Sequence, residues 1–135
     1  YKRQVECDPM TVEVLQENVR NVDGMAMCTI LESRVEGRPL TLEVPVDMVI
    51  MNPPWGVQTQ RADRAFFETI FAMNIPLVHF IHSIEAEHLL PLAHANGYEL
   101  HSIYQDDFRL PPAYAHHSKN KASTRIRCYR LEKKN

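Results

Sequence analysis

The sequence predicts an α/β fold whose sheet is mostly parallel and ends in an antiparallel strand. Strand-like and helix-like stretches alternate along most of the chain, and two long strand candidates then close it with no helix between them. The apolar run Val49-Ile50-Met51 is too continuous for a strand with one wet face and suits a central strand covered on both sides.

Taken in order, Lys2–Cys7 reads as a short strand ending on the acids Glu6 and Asp8. Asp8 can cap a helix and Pro9 fits its first position, because proline lacks the N–H that the first turn leaves unused. Val12, Val14, Leu15 and Val19 give that helix an apolar side, and Gly24 stops it near residue 22. Met25–Leu31 is a second strand. Glu36-Gly37-Arg38-Pro39 is a turn signal, after which Leu40–Val44 is expected to pair back as a hairpin. Val46–Met51 follows as the clearest strand. A helix is expected from about Ala62 to Met73, a strand at Leu77–Ile81, a helix at Ile84–Ala95 stopped by Asn96-Gly97, and strands at Tyr98–Phe108 and Ser123–Leu131 around a polar loop.

With 135 residues, the chain is expected to form one domain, and its 44% hydrophobic and 24% charged content suits a globular core. No apolar run approaches the roughly 18 residues of a membrane span. Cys7, Cys28 and Cys128 are odd in number and widely spaced, so they read as buried free thiols of an intracellular protein, in cytoplasm or nucleus. Charge is unevenly spread. Residues 1–108 carry 7 Lys/Arg against 16 Asp/Glu, whereas residues 109–135 carry 8 against the single acid Glu132. A basic tail on an acidic body points to a polyanion, of which nucleic acid is the usual case.

The chemistry concentrates in Asn52-Pro53-Pro54-Trp55, placed directly after the apolar strand, where ligands of open α/β sheets bind. An exocyclic amine on a base is a poor nucleophile because its lone pair is delocalised into the ring. Two acceptors aimed at the NH2 group let negative character develop on nitrogen. Asn52 offers a side-chain carbonyl and Pro53 a backbone carbonyl, and the prolines stiffen the turn that holds them. Trp55 offers a flat face for an extruded base, and Gly56 lets the backbone leave without crowding it.

The segment Asp47 to Gly56 resembles the DxVxxNPP(F/Y/W)G signature of class I amino-methyltransferases. It is most similar to the ribosomal-RNA adenine N6-methyltransferases known as the methyltransferase-like protein five family. The similarity extends to Ala62-Asp63-Arg64-Ala65-Phe66-Phe67, to His79-Phe80-Ile81-His82-Ser83, and to the loop running from Leu110 to Lys119. Upstream, Val5-Glu6-Cys7-Asp8 resembles the acidic strand end of the family's cofactor site.

The resemblance implies a Rossmann-like class I methyltransferase sheet that lacks its first strand here, since no GxG turn occurs among the four glycines. It implies S-adenosylmethionine as cofactor, with Glu6 on the ribose hydroxyls, Cys7 beside it, and Asn52 shared between cofactor and target. The methyl acceptor it implies is N6 of an adenosine in ribosomal RNA. Asn52, Pro53, Pro54 and Trp55 are then catalytic, with Trp55 on the target base; the basic run His116–Lys121, by its charge, is expected to contact RNA phosphates through His116, Lys119 and Lys121. The family pairs with a small zinc-containing activator of the tRNA methyltransferase 112 type, which adds to a sheet edge, here expected at Met25–Leu31.

Protein glutamine N5-methylation is an alternative, because the same turn can hold a side-chain amide. A DNA methyltransferase is a third reading, and a catalytically silent binding module of the same fold a fourth. His82, Glu85 and His88 fall at spacings of three, as on one helical side. No HExxH-type motif accompanies them and the family needs no metal, so no metal site is expected.

Overall fold

The computed structural model describes residues 2–22, 27–55, 61–109 and 123–134, and divides into two compact units, residues 1–36 and 37–135. In the first unit, β1 (Lys2–Glu6) leads into α1 (Pro9–Asn21) and then β2 (Cys28–Glu32). β1 and β2 pair in parallel from Lys2↔Cys28 to Glu6↔Glu32. The helix starts where the sequence predicts. Asp8 Oδ1 accepts from the Met10 N–H at 3.1 Å and its Oδ2 from the Thr11 hydroxyl at 2.9 Å, while Pro9 fills the first helical turn. Val12 is buried, and Met10 and Val14 lie exposed.

The second unit holds β3 (Met48–Met51), α2 (Arg64–Ala72), β4 (Leu77–Ser83), α3 (Leu89–Ala95), β5 (Tyr98–Arg109) and β6 (Ser123–Lys133). Its sheet runs in the order β3-β4-β6-β5. β3 and β4 are parallel, and β6 runs antiparallel to both its neighbours, so the sheet is mixed with an antiparallel end. A right-handed crossover through α2 is the standard connection for such a parallel pair. β4 alternates strictly between core and outer face, burying Val78, Phe80 and His82. The core around it contains Phe67, Ile70, Tyr98, Tyr129 and Leu131, with Phe80 stacked on Tyr129 at 5.1 Å. The Tyr98 hydroxyl is buried too, and donates to the Ile75 carbonyl at 3.0 Å.

Four expectations change. Residues 33–47 form no strand, so Leu40–Val44 does not make a hairpin. The segment is held on α2 instead: the Gly37 N–H donates to Thr69 Oγ1, and that hydroxyl donates to the Arg38 carbonyl, both at 3.1 Å. Gly37 takes φ +79°, where a side chain is disfavoured. β3 is not covered on both faces among the described residues, since Met48 and Ile50 are exposed while Val49 and Met51 pack against the core. Helix α3 begins at Leu89 rather than Ile84, and Pro91, which lacks a donor, falls within its first turn. Cys7 is exposed, and Cys28 and Cys128 are half-buried, rather than all three being buried, although all are free thiols as expected. Met25, the first residue of the predicted second strand, lies outside the described residues.

β5 and β6 continue past the end of β4. The last β4–β6 pair is Ser83↔Ile126, whereas β5 and β6 remain paired through Asp107↔Arg125, Phe108↔Thr124 and Arg109↔Ser123. At about 3.4 Å per residue the overhang is roughly 10 Å. Their register also shifts between Ser102 and Tyr104, leaving Ile103 as an extra, exposed residue on β5. Among the described residues no helix is long and apolar enough to cross a membrane.

Candidate active site

Asn52 is the first residue beyond the carboxyl end of β3, as the sequence predicts. Asn52 and Pro54 are exposed, Pro53 is fully buried, and Trp55 is half-buried. Burial of Pro53 anchors the turn. No described residue hydrogen-bonds the Asn52 amide, so its carbonyl is free to accept from a ligand.

Trp55 packs on His82, with ring centroids 6.0 Å apart and planes inclined by 29°. His82 is 2% exposed and stands on the core face of β4 in the place an apolar residue would take. Its Nε2 lies 3.2 Å from Asp63 Oδ2, and the same oxygen lies 2.6 Å from His88 Nε2. Asp63 is itself buried, at 4% exposure. It is the residue before α2, yet its carboxylate makes no capping bond to that helix because it is turned to the two imidazoles. His88 holds the equivalent position before α3, also without a capping bond.

Burial pushes the His82 pKa below the ordinary histidine value, against the opposing pull of the Asp63 carboxylate. A ring kept neutral in this way donates to Asp63 through Nε2–H and leaves Nδ1 bare. Nδ1 is buried and has no hydrogen-bond partner among the described residues.

This constellation is one the sequence reading missed. It grouped His82 and His88 with Glu85 along one helical side. In the structure His82 is on a strand and Glu85 sits exposed in a turn, while Asp63 takes the place of the acid. The signal was present in the period-2 pattern of β4. If Val78 and Phe80 face the core, so does His82, and a core histidine needs a polar partner.

In the first unit Glu6 ends β1. Its Oε1 accepts from the Cys7 N–H at 2.7 Å and the Asp8 N–H at 3.0 Å. The Asp8 and Cys7 amides hold the Glu6 carboxyl below the usual carboxylate range. Its other oxygen has no partner among the described residues and keeps its lone pairs for further donors. His116, Lys119 and Lys121 fall outside the described residues, as does Gly56.

The fold defines the class: the chain has the α/β fold of the class I methyltransferases. It superposes on a candidate RNA methyltransferase of Pyrococcus horikoshii, PH1948, with TM-score 0.77 and 27% identity over 98% of this chain and 63% of that one. The fold is also shared, at 12% identity and TM-score 0.58, with a precorrin-6y C5,15-methyltransferase of Geobacter metallireducens, over 97% of this chain and 66% of that one. In sequence, the uncharacterised protein MJ0284 of Methanocaldococcus jannaschii is 26% identical over 96% of this chain and 62% of its own length. The chain thus spans somewhat under two thirds of PH1948 and of MJ0284. No family model matches it.

Proposed function

We propose that the protein transfers a methyl group from S-adenosylmethionine to N6 of an adenosine in RNA, with ribosomal RNA as the substrate class. The observation that carries this reading is Asn52-Pro53-Pro54-Trp55 at the carboxyl end of β3, its Asn52 amide unspent and its Trp55 ring backed by buried His82. The likeness to a candidate RNA methyltransferase supports it.

In this reading the Asn52 carbonyl and the Pro53 backbone carbonyl accept from the two N6 hydrogens of the target base. Both acceptors then gain as nitrogen takes on negative character, which is where catalysis requires them to gain. Trp55 holds the base by stacking, and His82 beneath it keeps the indole from yielding. Bound S-adenosylmethionine would supply the electrophilic methyl group. Glu6, ionised and pinned through Oε1, would hold its ribose through the oxygen left over, with Cys7 alongside.

Topology supports the RNA side. β4 runs parallel to β3, so the overhanging β5–β6 arm extends past the same sheet end as Asn52. His116, Lys119 and Lys121 fall between β5 and β6 in sequence, and this reading assigns them to RNA phosphates. The zinc-containing activator belongs to the same proposal, seated on β2.

The test incubates the full-length chain with labelled S-adenosylmethionine and RNA, then digests the RNA to nucleosides. Label in N6-methyladenosine, reduced at least about 10²-fold by Asn52→Ala, is the expected result. Label recovered in glutamine of a protein substrate, or no transfer at all, would overturn it.

A further inference from the structure

We propose that Asp63, His82 and His88 form a binding site for one divalent transition-metal ion of the zinc type. Each of the three offers a ligand atom within 4.8 Å of the other two, and Asp63 Oδ2 lies 3.2 Å from His82 Nε2 and 2.6 Å from His88 Nε2. They arrive from three different elements: the start of α2, the core face of β4 and the start of α3. Convergence of this kind cannot come from local sequence, which is why the spacing of the histidines did not reveal it.

Donor chemistry selects the ion. Two imidazoles and one carboxylate suit zinc and its neighbours, whereas magnesium and calcium require oxygen ligands throughout. At metal–ligand distances of about 2.0–2.2 Å, tetrahedral ligand atoms stand roughly 3.3 Å apart. The Asp63–His82 separation of 3.2 Å already meets this, and the Asp63–His88 separation of 2.6 Å needs to open by well under an ångström. His88, the exposed ligand, is free to make that move.

Burial points the same way. A carboxylate with 5% exposure is costly to keep charged opposite imidazoles that carry no charge when neutral. A divalent cation supplies the missing counter-charge. The exposed His88 leaves a way in from solvent and a fourth position for water. Three protein ligands with an open fourth position are the pattern of an accessible zinc site rather than a closed structural one.

Zinc titration calorimetry on the full-length protein, alongside His88→Ala, provides the test. His88 is more than half exposed, so the variant is expected to fold, with the loss of one hydrogen bond to Asp63 as its cost in the absence of metal. The expected result is one equivalent of zinc whose affinity falls at least tenfold in His88→Ala and in Asp63→Asn. Cobalt should add a ligand-field spectrum that both variants lose. Trp55 stacks on a ligand, so nickel should quench its emission, and Trp55→Phe should remove that component. Absent binding, or binding that neither His88→Ala nor Asp63→Asn weakens, would show the triad to be a hydrogen-bonded network only.

Discussion

Trp55 lies against the buried ring of His82, 6.0 Å between centroids, so the residue proposed to stack a base is itself stacked from behind. An indole held this way loses little further freedom when a base arrives. Trp55→Ala should weaken RNA binding by about 1–3 kcal/mol, or roughly 5- to 150-fold. Trp55→Phe should keep most of the affinity. Fluorescence anisotropy with labelled RNA measures both, and equal affinities for the two variants would contradict the role.

Glu6 should titrate below the ordinary glutamate value. Its carboxylate accepts from the Asp8 and Cys7 amides, bonds that protonation weakens. Because the folded-state value is depressed, its contribution to stability is present above the unfolded value and is lost as pH falls through the folded one. Side-chain carbon NMR across the acid range reads the midpoint directly. A value at or above the ordinary one would count against the geometry.

Thr69→Val should cost about 1–3 kcal/mol in chemical denaturation, because it removes the hydroxyl that accepts from the Gly37 N–H and donates to the Arg38 carbonyl. Thr69→Ser keeps the hydroxyl and should cost less. If the two variants are equally stable, the hydroxyl is not what holds this segment.

Replacing Lys119 and Lys121 with alanine should reduce RNA affinity and flatten its salt dependence. With single-stranded RNA the log–log slope should become shallower by about 0.7 per lost contact. An unchanged slope would take these lysines out of the interface.

β2 has a strand neighbour on one side only among the described residues, namely β1. An activator that adds to this edge should slow amide exchange across Cys28–Glu32. Exchange rates unaltered by a bound subunit would place the partner elsewhere.

Local signals carried most of the fold. Asp8-Pro9 announced α1 within one residue, and the run ending at Met51 located the strand that presents Asn52. Where prediction failed, the deciding contacts were distant in sequence. The Gly37–Thr69 bond spans 32 residues and the Asp63–His82 contact 19, and neither leaves a periodic trace. The candidate site divides the same way. Asn52 to Trp55 is contiguous and legible, while the histidine–aspartate cluster behind it exists only once three elements have assembled.

The shift of register at Ile103 has a consequence best put as arithmetic. Before it, even-numbered residues of β5 pair with odd-numbered residues of β6, as Leu100 does with Leu131; after it, Tyr104 pairs with Cys128 and Asp106 with Ile126. Parity has flipped. The plane that is apolar under Leu100 and Leu131 therefore continues outward as Gln105, Asp107, Arg125 and Arg127, with Arg127 bonded to Gln105 at 2.7 Å. One extra residue therefore sets Gln105 and Asp107 opposite Arg127 and Arg125 in that plane, and turns Tyr104 with Cys128 and Ile126 to the other side of the ribbon.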